Sequence, residues 1–263
     1  MVYAKPPVGP VPSSMRFLAL LAAAVLLTFC APSSPMRTPD PAFRQQQLLF
    51  PRVRAAYGIH QTCLHALLKE NNIQPERLEL FLRAFKVGRR LEVWGREQDA
   101  GRFVLLRTYW LAGTSGTLGP KRRSGDLQIP EGFYTIDRFN PDSQFHLSLG
   151  LDYPNAADRK HAVPNPGSDI FIHGSNLTIG CLPITDACIR ELYVLAVEAR
   201  AAGQTSIPVH IFPFEMTTAN LASRRTSPHI TFWQDLKAGY QYFENNHQLP
   251  HITSDARGAY AVE

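Results

Sequence analysis

The sequence predicts a mixed, β-rich α+β fold: a sheet core with an N-terminal helix ahead of it and a C-terminal helical extension behind it. Three observations carry this. Short strand-like runs outnumber helical stretches through the middle of the chain. Ahead of them, Val53, Ala56, Tyr57, Cys63, Leu64, Leu67 and Leu68 follow helical spacing in most places. Behind them, Phe232, Leu236, Tyr240 and Phe243 mark one side of an amphipathic segment near 229–245. With 263 residues, 44% of them hydrophobic and 19% charged, the chain can bury one proper core plus appendages.

The N-terminal piece reads as targeting sequence and tether, since nine of the 21 prolines lie in residues 1–51. Arg16 precedes a 14-residue apolar run ending at Cys30, too short for a membrane span and the right size for a signal-peptide core. Met15 makes a conventional signal start, which turns residues 1–14 into a mis-assigned upstream start. Cys30 is a candidate for lipidation, although Phe29 is a poor residue before a lipidated cysteine. Either way, export to the periplasm or cell envelope is expected. Any membrane association then runs through this N-terminal anchor. The expected organisation is 1–41 signal or anchor and tether, 42–75 helical segment, 76–215 catalytic core and 216–263 helical extension.

The elements follow in order. A helix over 52–71 ends at Asn71-Asn72 and Pro75. Strands are expected at 78–86, 90–96 and 102–112, the last two joined by a hairpin loop over Glu97–Gly101. Residues 113–125 form a long loop carrying Lys121, Arg122 and Arg123; such a loop borders a site more often than it merely connects. Strands at 132–139 and 144–151 are linked by the turn residues 140–143. A second long loop, 153–167, holds Arg159, Lys160 and His161. A strand at 169–173 precedes a helix capped by Thr185 or Asp186 and stopped by Gly203. The last strand is 209–214. Trp94 and Trp110 are expected as core anchors.

The net charge of +5 gives mild attraction to anionic polymers and is too dispersed for nucleic-acid binding. Its basic clusters lack the interleaved aromatics of a single-strand binder, and Arg52 and Arg54 read as solvated surface. Cys63, Cys181 and Cys188 make an odd count for an oxidising compartment, which implies a free thiol; a Cys63–Cys188 disulfide with Cys181 free is one arrangement it allows. His60, Cys63 and His65 lack any standard zinc pairing, so a helix with a polar face is expected there and no metal.

The chemistry-bearing stretch is 169–184. A short apolar run, Ile170 to Ile172, delivers His173 to a strand end. A turn with Gly174, Ser175 and Asn176 follows, and Gly180 sets up Cys181 just before a helix. A thiol is nucleophilic as its thiolate, and a neighbouring imidazole supplies the base that makes it. A glycine before it lets backbone N–H groups approach a developing oxyanion.

These residues resemble the His-Gly…Ser/Thr-x-Gly-Cys signature of the L,D-transpeptidase catalytic domain (the YkuD-like family), and Gly180-Cys181-Leu-Pro-Ile-Thr-Asp186 is similar to its YafK-type branch. Similar blocks include Leu91–Trp94, Leu118–Arg122, Gly125–Tyr134, Phe139–Ser143, Asp152–Asn155 and Val209–Phe214, so the resemblance covers roughly 76–260. It departs from the broader family at Ile179 and Pro183, where a histidine and an arginine usually stand, and in its shorter His173–Cys181 interval.

The resemblance implies the YkuD-like sheet core and a peptidoglycan enzyme that needs no cofactor. Cys181 would attack a carbonyl at the diaminopimelate residue of a stem peptide. His173 would be the base, Gly174 and Ser175 would orient it, and Gly180 and Cys181 would offer oxyanion donors. Lys121, Arg122 and Arg159 would bind substrate carboxylates; Tyr134 and Asn155 would contact substrate. His146 faces either the groove or a cross-strand surface. The thioester would pass to water or to an amine. Release of a wall-linked lipoprotein is the branch-specific version. A non-catalytic wall-binding domain of the same fold is the alternative.

Overall fold

A computed structural model describes residues 1–4, 7, 9, 37–161 and 163–263. The expected signal run 15–30, with Cys30, lies outside the described residues. No helix among the described residues is long and apolar enough to cross a membrane.

Two helices come first, α1 (Pro41–Gln47) and α2 (Pro51–Glu70). The Asp40 side chain accepts the Phe43 N–H and Pro41 occupies the first turn, a start signal hidden in sequence by the proline-rich stretch around it. Strands β1 (Leu78–Phe85), β2 (Arg90–Glu97) and β3 (Val104–Trp110) form an antiparallel meander. They are followed by β4 (Gly132–Asn140), β5 (Ser148–Leu151), α3 (Ala156–His161), β6 (Phe171–His173), β7 (Leu182–Pro183), α4 (Thr185–Ala201) and β8 (Ile207–Phe212). The eight strands make one sheet in the order β3-β2-β1-β8-β4-β5-β6-β7, parallel only at β1–β8 and β6–β7.

All eight positions of β1 are buried because both faces of the sheet are covered. Leu78, Leu80, Leu82 and Ala84 join the main core with α2 and α4, through residues such as Leu64, Ile189 and Leu192. The alternate positions Phe81 and Phe85 point the other way, toward Phe243, Trp233, Leu236 and Tyr240 of α6 (Ile230–Asn246). Strand periodicity thus divides one apolar run between two cores. Each fully buried leucine here contributes roughly 1.5–3 kcal/mol.

Three features differ from the sequence expectation. Trp110 is 66% exposed, because it ends edge strand β3; of the two tryptophans expected as core anchors, Trp94 is buried. The strand expected over 144–151 is only β5, since 141–147 is a chain of turns and bends. The C-terminal extension adds to its helices α5 (Thr218–Ala222) and α6 a hairpin of β9 (Ile252–Ser254) and β10 (Tyr260–Val262), strands too short to show alternation. Cys63, Cys181 and Cys188 are all free thiols, so the Cys63–Cys188 disulfide is not formed.

Candidate active site

Parallel pairing of β6 with β7 builds the site. Ile172 opposes Leu182 and His173 opposes Pro183, which brings Cys181 alongside Phe171. Side chains alternate across a strand, so Ile172 faces the core while Phe171 and His173 share the other side. The Cys181 sulfur accepts the Phe171 N–H at 3.4 Å and lies 3.6 Å from the Asp169 carbonyl oxygen, to which the thiol donates. Cys181 and His173 both line a cavity of about 340 Å³, with Asn140, Ser148, Phe145, Asp169 and Ile179 among its other walls.

His173 is 1% exposed, and the Phe145 ring lies 4.6 Å from its own, tilted by 33°. Phe145 is held over it by Arg52, whose guanidinium donates to the Ser143 and His146 carbonyls at 2.7 and 2.8 Å. Arg52 is therefore not simple solvated surface. The Nδ1 of His173 sits 2.5 Å from the Gly174 carbonyl oxygen. A carbonyl can only accept, so this contact assigns the proton to Nδ1 and leaves the Nε2 lone pair as the base.

Burial pushes the His173 pKa below the ordinary histidine value of 6.5, partly opposed by the Gly174 carbonyl. Burial pushes the Cys181 thiol above its ordinary 9.0; the Phe171 N–H and Lys121 oppose this, and Asp169 adds to it. The resting pair at neutral pH is thus thiol and neutral imidazole. Among the described residues, no hydrogen bond joins the Cys181 sulfur to the imidazole.

Thr178 organises the turn before β7. Its hydroxyl accepts the Cys181 N–H at 2.8 Å and the Gly180 N–H at 3.2 Å, and donates to the Cys181 carbonyl at 2.9 Å. The backbone donors expected to face an oxyanion are therefore engaged inside the turn. Gly180 has φ of +135°, and a Cβ there would lie 3.1 Å from the Gln128 carbonyl oxygen. Its role in this geometry is close approach to the backbone at Gln128, just beyond the 113–125 loop, none of whose residues lines the cavity.

The turn after β6 is zipped to the start of α4. Ile184 N–H donates to the His173 carbonyl at 2.9 Å and Thr185 N–H to the Ser175 carbonyl at 3.2 Å. Asp186 does not cap α4; its carboxylate accepts the Ser175 N–H at 2.8 Å. A Cβ at Gly174 would lie 2.4 Å from that carboxylate, so only glycine fits. Ser175 enters this geometry through its backbone, with φ of +63°, and the atom that contacts the base is the Gly174 carbonyl.

The expected substrate contacts lie outside this cavity. Lys121 is buried and donates to Asp126 at 2.6 Å and to the Arg123 carbonyl. Arg122 pairs with Asp158 at 3.0 Å, and Tyr134 donates to the other oxygen of Asp158. Asn155 donates to the Phe133 carbonyl and Tyr260, while its own Oδ1 accepts the Asp158 N–H at the start of α3. Arg159 donates to the Pro154 carbonyl. Lys121, Arg122, Tyr134 and Asn155 thus build one internal network around Asp126 and Asp158. Loop position suggested free charges; the nearby aspartates, which neutralise them, were the signal against it.

His146 lies in the bend before β5 and is absent from the cavity wall. Its Nε2 accepts from the Arg190 guanidinium at 2.8 Å, and burial with the Arg190 charge keeps its pKa low. Residues that sequence reasoning gave no part in the site are Thr178, Asp186, Phe145 and Asp169. Thr178 was legible, three residues before the cysteine in the quoted signature; Asp186 was read as a cap.

No family model matches the chain. It is 37% identical over 185 residues, 70% of its own length and 73% of the relative's, to the Escherichia coli (strain K12) protein named "Putative L,D-transpeptidase YafK". Among solved structures it is similar to the helical cell shape determining protein Pgp2 of Campylobacter jejuni, at TM-score 0.42 and 16% identity, covering 68% of this chain and 73% of that one. Bd1075 of Bdellovibrio bacteriovorus gives TM-score 0.39 and 16% identity over 67% of this chain and 77% of that one.

Proposed function

The chain belongs to the YafK-like L,D-transpeptidase family, and we propose that it is an exported peptidoglycan enzyme working through a thioester on Cys181. The observation that carries this reading is the single cavity lined by both the Cys181 thiol and the His173 imidazole.

The chemistry follows from those parts. The Nε2 of His173 takes the thiol proton as the sulfur attacks the carbonyl carbon at the diaminopimelate residue of a stem peptide. The tetrahedral oxyanion collapses, the C–N bond breaks, and His173 returns the proton to the leaving amine. Water or a second amine then attacks the thioester, and the thiol is regenerated. Because burial keeps thiol and imidazole neutral, the ion pair forms at the moment of attack rather than beforehand. The Gly180 and Cys181 N–H groups serve as oxyanion donors only once Thr178 releases them.

Water is the preferred acceptor in this reading. Ile179, 79% exposed at the cavity, stands where the broader family has a histidine, so no second ionisable group is offered there to deprotonate an acceptor amine. Release of a wall-linked lipoprotein is one hydrolytic outcome of such a site. Export rests on the basic start and apolar run of residues 15–30.

The test is product analysis with purified muropeptides, with and without excess diaminopimelate-bearing acceptor. Shortened stems or released amine in both conditions support hydrolysis; cross-linked dimers as the main product make the protein a transpeptidase. A second reading, a wall-binding domain without chemistry, is favoured by the engaged state of the two N–H donors. Muropeptide binding with no product in either condition would select it.

A further inference from the structure

Away from the cavity, α2 and α4 bring together a second set of reactive side chains. His60 and Cys63 stand one helical turn apart on α2 and therefore share a face. Glu191 reaches the same place from α4. The imidazole nitrogen, thiol sulfur and carboxylate oxygen all lie within 4.8 Å of one another. Ligand atoms in a tetrahedral zinc site, with bonds of about 2.0–2.3 Å, sit about 3–4 Å apart. The Cys63 thiol now donates to the His60 carbonyl at 3.1 Å, and a side-chain rotation that releases it would close the remaining gap. His65, which sequence proximity groups with His60 and Cys63, is not part of the cluster; a residue far along the chain takes its place, which spacing alone does not reveal.

The carboxylate is held in position before any ion arrives. One oxygen of Glu191 accepts the Tyr109 hydroxyl at 2.9 Å and the other accepts the Arg107 Nε at 2.9 Å. Each carboxylate oxygen keeps a further lone pair, and hydrogen-bonded ligands of this kind are the usual outer shell of a metal site. The Arg107 cation opposes a second cation, which disfavours hard ions held by oxygen alone. A thiolate and an imidazole favour a borderline transition metal instead. Cys63 is exposed and so accessible to an ion from solvent.

We propose that His60, Cys63 and Glu191 bind one borderline divalent transition-metal ion, of which zinc is the type, with water completing the coordination. Binding exchanges the Cys63 S–H bond for an S–metal bond and releases one proton to solvent. The ion staples α2 to α4, the helix that begins at Thr185 directly after the Cys181 turn.

The test uses the full chain with Cys181→Ala and Cys188→Ala, so that neither of the other free thiols contributes. Titration with cobalt(II) should give a thiolate-to-cobalt charge-transfer band that saturates at one ion per chain and is displaced by zinc. Zinc should also protect Cys63 from alkylation, read by peptide mapping. His60→Ala, Cys63→Ser and Glu191→Gln should each weaken zinc binding at least tenfold. Tyr109→Phe, which keeps every ligand, should weaken it about tenfold. Circular dichroism of the metal-free variants separates loss of binding from loss of fold. Absence of the band, its persistence in Cys63→Ser, or unchanged zinc affinity in any of the three ligand variants that keeps its fold overturns the proposal. So does a non-reducing peptide map that finds Cys63 in a disulfide.

Discussion

The hydroxyl of Thr178 bonds both ends of Cys181, accepting its N–H at 2.8 Å and donating to its carbonyl at 2.9 Å. One side chain thereby sets the backbone of the turn that carries the thiol, and it also masks a donor that acyl transfer needs. Small misplacement of a reacting group costs up to about 100-fold in rate. Thr178→Val frees the two N–H groups but loses the clamp on the turn; misplacement of the thiol outweighs the unmasking, so kcat should fall roughly 10–100-fold with little change in KM, and Thr178→Ser should restore most of it. Steady-state kinetics on a muropeptide decide this; equal kcat in Thr178→Val and wild type would show that the clamp is dispensable.

The second prediction concerns pH. Burial lowers the His173 pKa below 6.5, so the neutral base persists at more acidic pH than a solvent-exposed histidine allows. The acid limb of kcat/KM should therefore have its midpoint below 6.5. Phe145 covers the imidazole, and Phe145→Ala should rehydrate it and move that midpoint upward toward 6.5. A wild-type acid limb above 6.5 would contradict the assignment of His173 as a buried neutral base.

The two histidines near the turn should separate cleanly. His173→Ala should cut turnover roughly 10²–10⁴-fold, the usual worth of a positioned general base. His146→Ala removes only a partner of Arg190 and should leave kcat within a few-fold of wild type. Rates of both variants, with circular dichroism as a folding check, test the pair. The reverse pattern would mean that the base is His146.

Much of the architecture was legible from periodicity. The expected helix over 52–71 is α2, and the strands expected at 78–86 and 90–96 match β1 and β2 within a residue. Their apolar runs are long enough to dominate the local signal. The stretch 144–151 kept only β5, because Arg52, 91 residues before Ser143, folds the Ser143–His146 turn through backbone carbonyls that no local pattern records. The site divided the same way. His173 and Cys181 are close in sequence and share one cavity, as a short strand–turn–strand unit dictates. Lys121, Arg122, Tyr134 and Asn155 lie outside that cavity: Lys121 and Asn155 are engaged by Asp126 and Asp158 close by in sequence, whereas Arg122 and Tyr134 reach Asp158 across separations that no local pattern records.

The fourth prediction concerns acid stability. His210 on β8 is enclosed by the Phe81, Phe133 and Phe212 rings, its Nδ1 has no hydrogen-bond partner, and burial with the Arg83 charge takes its pKa from 6.5 down to about 3. Between those values the unfolded chain binds a proton that the native state refuses. Stability is therefore fully present above pH 6.5 and falls as pH drops toward about 3, at up to about 1.4 kcal/mol per pH unit. His210→Leu should flatten this dependence. Thermal midpoints of wild type and variant at pH 7.5 and 4.5 check it; parallel losses in both proteins would remove His210 as the cause.

The central claim is that the Cys181 sulfur carries the acyl group. Its most direct measurement is intact-protein mass spectrometry, with peptide mapping, after rapid acid quench of the enzyme turning over a diaminopimelate-containing stem peptide. The account predicts an added mass equal to the acyl portion of the substrate, on Cys181, released by hydroxylamine, and absent from Cys181→Ala, which forms no product. Continued product formation by Cys181→Ala, or an acyl group mapped to Cys63 or Cys188 instead, would contradict it.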